Sequence, residues 1–282
     1  MFELRGCSVF RGGRPCADGI SVRLRPGTVL VMVGPNGAGK STAMKLLSGE
    51  IAPDRGAALL DGEAISGVEP AMLAARRAVL AQSADHAFDI TVRALAGLGL
   101  RMVAAPIGGG SARLVESALE QVGLENAGER MVRTLSGGER QRAHLARVLT
   151  QLAAGERRYG PGTLLLDEPL AAQDLAHQLA ILRLARAHAA AGGAVCMVLH
   201  DLNCACAAAD RIAVLRHGRL WAEGTPASVI TAPILAEVFG IDTEPGALPG
   251  SAQPYVLPQM MRPHATPART GTKERKAECI LP

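Results

Sequence analysis

Thr28-Val29-Leu30-Val31-Met32-Val33 is a nearly unbroken apolar run rich in β-branched residues, and it leads directly into Gly34-Pro35-Asn36-Gly37-Ala38-Gly39-Lys40-Ser41. Such a run suits a strand buried on both faces of a parallel sheet, where alternation with polar residues is lost. The loop after it fits G-x-x-x-x-G-K-[ST] at every fixed position, and Met44, Leu46 and Leu47 then recur at helical spacing until Ser48-Gly49. Strand, glycine-rich loop and helix in that order leave little choice of architecture. Glycines let successive backbone N–H groups turn inward around phosphate oxygens, and the helix N-terminus adds the positive end of its dipole. The expected fold is α/β, with a nucleotide seated on Gly34, Pro35, Asn36, Gly37, Ala38, Gly39, Lys40, Ser41 and Thr42. Lys40 then reaches the β and γ phosphates, and the Ser41 hydroxyl ligates Mg²⁺.

Around this unit the pattern changes three times. Residues 2–10 and 20–25 alternate apolar with polar side chains on either side of Gly12-Gly13, which predicts antiparallel strands. Short strands are expected at 57–60 and 79–81 with a helix between them near 70–77. From about residue 83 to 160 the strand signal disappears and Val115, Leu119, Val122 and Leu124 recur at helical spacing, so this stretch reads as a helical insertion containing a glycine-rich connection at 108–111. Strands resume at 163–166, 195–199 and 212–216, interleaved with an alanine-rich helix near 177–191, and such alternation predicts a parallel sheet. After Gly240 the chain turns to Pro, Thr, Ser and charge. Residues 241–282 are expected to be a poorly ordered tail without a catalytic role.

Two further segments carry chemistry. Thr163-Leu164-Leu165-Leu166-Asp167-Glu168 delivers two carboxylates at the end of a buried strand, where ligands sit in parallel α/β sheets. Asp167 is placed to hold Mg²⁺, and Glu168 to take a proton from the water that attacks the γ-phosphate. His200 follows the next buried strand, as a sensor of that phosphate. Gln82 sits at another strand end, within reach of metal or water and of the helical insertion. Ser136-Gly137-Gly138 precedes a helix-forming stretch, and its first turn offers backbone donors and a hydroxyl, a second anion cradle. One phosphate loop and two cradles in one chain predict a second copy.

The bulk numbers exclude several classes. No run of 18 or more apolar residues occurs, which argues against a membrane span, and Met1–Arg5 lacks the basic start of a secretory signal, so the chain is expected in the cytosol. A formal charge of +4 with dispersed positives and only 2% aromatic residues gives no basis for nucleic-acid binding. Six cysteines without paired spacing fit a reducing compartment. His200, Cys204 and Cys206 lack a fourth ligand for a zinc site, and Cys279-Ile280-Leu281-Pro282 is a poor prenylation box.

Taken in order, 34–41, Gln82, Leu135–Glu139, Thr163–Glu168, Asp174 and His200 resemble the six motifs of the ATP-binding subunit of ATP-binding cassette (ABC) transporters, over about residues 3–240. The resemblance implies a P-loop NTPase core of the ABC ATPase type over residues 2–240, with an antiparallel β subdomain and a helical subdomain at about 83–160. It implies ATP and Mg²⁺ as cofactors, with Ser41, Gln82 and Asp167 toward the metal, and Glu168, His200 and Gln82 in the reaction. It further implies a head-to-tail homodimer in which Ser136, Gly137, Gly138 and Asp174 complete the site of the other copy. Arg76–Gln82, Asp174–Gln178 and His200–Asn203 are most similar to hemin-import ATPases, kin of cobalamin and iron-siderophore importers. Such a subunit binds two transmembrane permease subunits from the cytoplasmic face of the bacterial inner membrane, with a periplasmic hemin-binding protein beyond. Non-transport cassettes that act on DNA or ribosomes usually carry two cassettes or a coiled coil, and this chain has neither. Two departures stand out. Ala171-Ala172-Gln173-Asp174 replaces the usual Ser-Ala-Leu-Asp, and Arg11, beside Phe10, replaces the usual tyrosine, so adenine is expected to stack on one of those two side chains.

Overall fold

A computed structural model of the chain describes residues 1–82, 89–103, 110–246 and Pro258. Its centre is β3 (Val29–Val33), and its five side chains divide strictly by parity: Val29, Val31 and Val33 enter one apolar core, Leu30 and Met32 the other. This is the period-2 geometry of a strand covered on both faces. The sheet around it is six-stranded in the order β10-β9-β3-β8-β7-β6. Its members are β6 (Arg77–Leu80), β7 (Thr163–Asp167), β8 (Ala194–Val198), β9 (Arg211–Arg216) and β10 (Arg219–Gly224). All run parallel except β10, which returns beside β9.

On one face lie α1 (Lys40–Ser48) and a four-stranded antiparallel sheet, ordered β2-β1-β4-β5. Its strands are β1 (Phe2–Arg11), β2 (Arg14–Arg23), β4 (Arg55–Leu60) and β5 (Glu63–Ala64). Phe2, Leu4, Ile20 and Leu24 meet Met44, Leu46 and Leu47 of α1 there. On the other face lie α3 (Val92–Arg101), α4 (Ser111–Gln121), α5 (Gly137–Tyr159), α6 (Leu175–Ala190) and α7 (Leu202–Ala208), after the short α2 (Pro70–Arg76). Leu95, Leu119, Leu145 and Leu182 carry that second core.

Two of the elements that differ from expectation bear on the site. The second strand starts at Arg14 rather than near residue 20, because Gly12 and Gly13 both adopt positive φ and close a two-residue hairpin with Arg11 opposite Arg14. Register shifts along β1 blur the alternation that sequence periodicity relies on. β10 is absent from the sequence prediction altogether. Its signal was His217-Gly218, again a two-residue turn with positive φ at both positions, which pairs Arg216 with Arg219. Of the glycine-rich connection expected at 108–111, residues 108 and 109 lie outside the described residues, while Gly110 caps α4 and Ser111 opens it. The tail after residue 246, Pro258 aside, also lies outside them. Among the described residues no helix is long and apolar enough to cross a membrane.

Candidate functional site

Strand order brings the chemistry together. β8 lies between β3 and β7, so His200 stands between the glycine-rich loop and the Asp167-Glu168 pair at the C-terminal edge of the sheet. A cleft of about 610 Å³ opens there, lined by residues 36–42, Gln82, Glu168 and His200, with Pro15 and Cys16 at its rim. That volume suits a nucleotide-sized ligand.

The loop is held from behind. Gly34 has φ 149°, and a Cβ there would come within 2.1 Å of the Leu215 carbonyl oxygen, so no other residue fits without moving β9. The Gly218 N–H donates to the Ala38 carbonyl at 3.0 Å, and the Asp18 N–H donates to the Gly218 carbonyl at 2.7 Å. Arg219 pairs with Asp18 beside them. The hairpin of β9 and β10 thereby ties the cradle to the small sheet. Lys40 is 6% exposed, and its Nζ donates to the carbonyls of Gly34 at 2.8 Å and Pro35 at 2.9 Å. Burial pushes its pKa down, while Glu168 and Asp167 oppose that shift.

Asp167 is also 6% exposed. Burial pushes its pKa up, the neighbouring Glu168 adds to this, and a hydrogen bond from Ser41 and the charge of Lys40 oppose it. Its Oδ1 is buried with no hydrogen-bond partner. A buried carboxylate oxygen without a donor beside a hydroxyl is a donor set that fits a hard divalent cation taking its remaining oxygens from phosphate and water. Among the described residues no cluster of three or more His, Cys, Asp or Glu could hold a metal alone.

Glu168 sits just past β7 with φ 52°, a left-handed conformation that costs a non-glycine residue about 1 kcal/mol or more. The turn aims its carboxylate into the cleft, where Oε1 lies 2.6 Å from His200 Nε2. A carboxylate only accepts, so Nε2 is the ring nitrogen that carries the proton.

Gln82 lines both this cleft and a neighbouring cavity formed by Leu80, Gly137, Arg140, Gln141 and Ala172. Ser136, Gly137, Gly138 and Asp174 are not among the residues lining the phosphate cleft, and Gly137 lines that neighbouring cavity. Ser136 instead caps α5: its Oγ accepts from the Glu139 N–H at 3.2 Å, while the Ser136 N–H donates to Glu139 Oε2 at 2.9 Å. Asp174 caps α6 through the His177 N–H at 2.9 Å. Arg11 stands exposed at the hairpin end, and neither it nor Phe10 is among the residues lining the cleft. The Phe10 ring lies 5.5 Å below the Arg55 guanidinium. Sequence reading missed Pro15 and Cys16, since the hairpin that carries them to the loop was not placed.

The capping pair makes an acid prediction. Hydrogen bonds from Arg130 and then from the Ser136 backbone hold Glu139 well below the ordinary carboxylate range, at about 2. A depressed carboxylate stabilises the fold fully above its unfolded pKa, and that stabilisation is lost as pH falls through about 2. Guanidinium unfolding of wild type and Glu139→Gln across a pH series should show a stability gap that closes on acidification. A gap constant with pH refutes the assignment.

A profile of the ABC transporter family matches residues 17–171. The chain belongs to the ABC transporter family. It is 44% identical over 269 residues to the hemin import ATP-binding protein HmuV of Bradyrhizobium diazoefficiens, covering 95% of this chain and 98% of that protein. The protein of the same name from Rhizobium meliloti is 42% identical over 267 residues, covering 92% and 98%. Among solved structures, an ATP-binding subunit of an ABC transporter superposes with TM-score 0.72 at 21% identity, over 81% of this chain and 91% of that one. A dimeric cassette in a post-hydrolysis state bound to ADP and Pi gives TM-score 0.69 at 22% identity, over 80% and 99%. These structures show that the fold is that of an ABC ATPase cassette.

Proposed function

We propose that the chain is the ATP-hydrolysing subunit of a hemin importer, acting as a homodimer under two transmembrane permease subunits at the cytoplasmic face of a bacterial inner membrane. A periplasmic hemin-binding protein delivers cargo from the far side. The Glu168–His200 pair, 2.6 Å apart and open to the phosphate cleft, carries the ATPase reading. The cargo reading rests on relatives at 42–45% identity that bear the hemin-import name.

In this mechanism residues 34–42 hold the triphosphate. Lys40 exchanges its two loop carbonyls for phosphate oxygens and neutralises their charge. Ser41, Asp167 and Gln82 would hold Mg²⁺, which when bound offsets charge on the transferring phosphoryl group. Glu168 takes the proton of the attacking water, and His200 keeps the Glu168 carboxylate turned toward it and meets the γ-phosphate. The N–H groups and hydroxyl of 136–138 do not line the same chain's phosphate cleft, so the anion assigned to them is the nucleotide of a second copy, with Asp174 at that interface. We further assign residues 2–240 to the cassette and about 83–160 to a helical part that moves against the core, with Gln82 at the junction.

Ser136→Arg should abolish ATPase activity in the dimer while leaving ATP affinity of the isolated chain within about twofold of wild type, since the bulk falls on the partner's site. Unchanged turnover would remove the shared-site proposal. For the cargo, the chain is reconstituted with a candidate permease and its ATPase rate measured with hemin-loaded and cobalamin-loaded binding proteins. Stimulation by hemin alone is expected, and stimulation by cobalamin instead reassigns the substrate.

A further inference from the structure

Ala171-Ala172-Gln173-Asp174 forms the turn between Glu168 and α6, and it places an amide side chain in a position that is 9% exposed. A buried amide needs partners. Gln173 Nε2 donates to the Gly138 carbonyl at 3.0 Å and to Gln141 Oε1 at 3.0 Å. Gln141 Nε2 in turn donates to the Glu168 carbonyl at 3.1 Å. The two ends of this chain, the carbonyls of Gly138 and Glu168, only accept. That fixes the orientation of both amides: each must turn its nitrogen toward a carbonyl, and Gln141 Oε1 then faces Gln173 Nε2. The contact is close, since a Cβ on Gly138 would lie 2.7 Å from the Ala172 carbonyl oxygen. The carbonyl that receives the last bond belongs to the residue with φ 52° and accepts also from the Ala171 N–H at 3.3 Å, so Gln141 is the side-chain part of what holds this peptide.

We propose that Gln173 is a positioning residue for ATP hydrolysis: acting through Gln141, it holds the strained backbone of Glu168 and so aims the carboxylate at the attacking water. It does not touch the nucleotide. The inference rests on the reading of Glu168 as general base. It also gives the first turn of α5 a hydrogen-bonded route to the base of the same chain. Leucine at position 173 fills the volume but donates nothing. Glutamate there presents oxygens to the Gly138 carbonyl and Gln141 Oε1, which repel it.

The test uses the full-length chain, with ATP turnover, ATP affinity and thermal unfolding measured for each variant. Gln173→Leu and Gln173→Glu should each lower kcat by about tenfold or more with KM for ATP within about twofold, because a misaimed base affects the transition state and not nucleotide binding. Gln141→Leu should give a similar loss, and the Gln173→Leu, Gln141→Leu double variant should lose little more than either alone, both in kcat and in unfolding. Placing Gln141→Lys in the Gln173→Glu background supplies donors to both acceptors and should recover about threefold or more of the lost kcat. Kcat values within twofold of wild type for both Gln173 variants, or additive losses in the double variant, overturn the proposal. A wild-type chain without ATPase activity would instead sink the reading of Glu168 itself, and an active wild type with silent variants sinks only the role of Gln173.

Discussion

Glu168→Gln should bind ATP as wild type does and lose turnover by about 10²- to 10³-fold, the contribution expected of a positioned general base. The amide keeps the size of the side chain and accepts from His200 Nε2 as the carboxylate does at 2.6 Å, so the fold is unaffected. What disappears is the ability to take a proton. With the nucleotide bound and uncleaved, the variant should accumulate as a dimer, visible by sedimentation with ATP and absent with ADP. Brisk phosphate release from this variant would show that another group activates the water.

Lys40→Ala should weaken ATP binding by about 100-fold, equivalent to about 3 kcal/mol for a buried charge in its proposed role as a donor to phosphate. The charge is costly where it stands, since burial lowers its pKa and, among the described residues, its Nζ donates to the Gly34 and Pro35 carbonyls. Its loss therefore removes affinity for the ligand more than stability of the free protein. Calorimetric titration with ATP, alongside thermal unfolding without nucleotide, separates the two. A large drop in Tm with affinity unchanged would make Lys40 a structural residue.

Much of this molecule was legible because its constraints are local. Val29–Val33 has to be a doubly buried strand, Gly34 has to lack a side chain, and Asp167 and Glu168 follow an apolar strand whose end is determined by its neighbours. The parallel alternation after Thr163 followed from the same periodicity. What escaped notice depends on pairing between distant segments. β10 and the true start of β2 are set by two-residue turns whose positive φ is not visible in hydrophobic patterning, and irregular register hides the alternation. Pro15 and Cys16 reach the cleft only once that hairpin is in place. Gln173 was visible as a departure in the turn after Glu168, but its meaning needed Gly138 and Gln141, 35 and 32 residues away in sequence.

The hydrogen bonds from Gly218 to Ala38 and from Asp18 to Gly218 tie the phosphate loop to the β9–β10 hairpin and to β2 without help from a nucleotide. Ordering such a loop on binding would otherwise draw conformational entropy from the affinity. ATP should accordingly associate in a single second-order step, with no slow isomerisation of the loop and only a small change in heat capacity. In the proposed homodimer the entropic penalty of the cycle then falls on bringing two loaded chains together, so that subunit association, rather than nucleotide capture, would be the step on which the proposed permease acts.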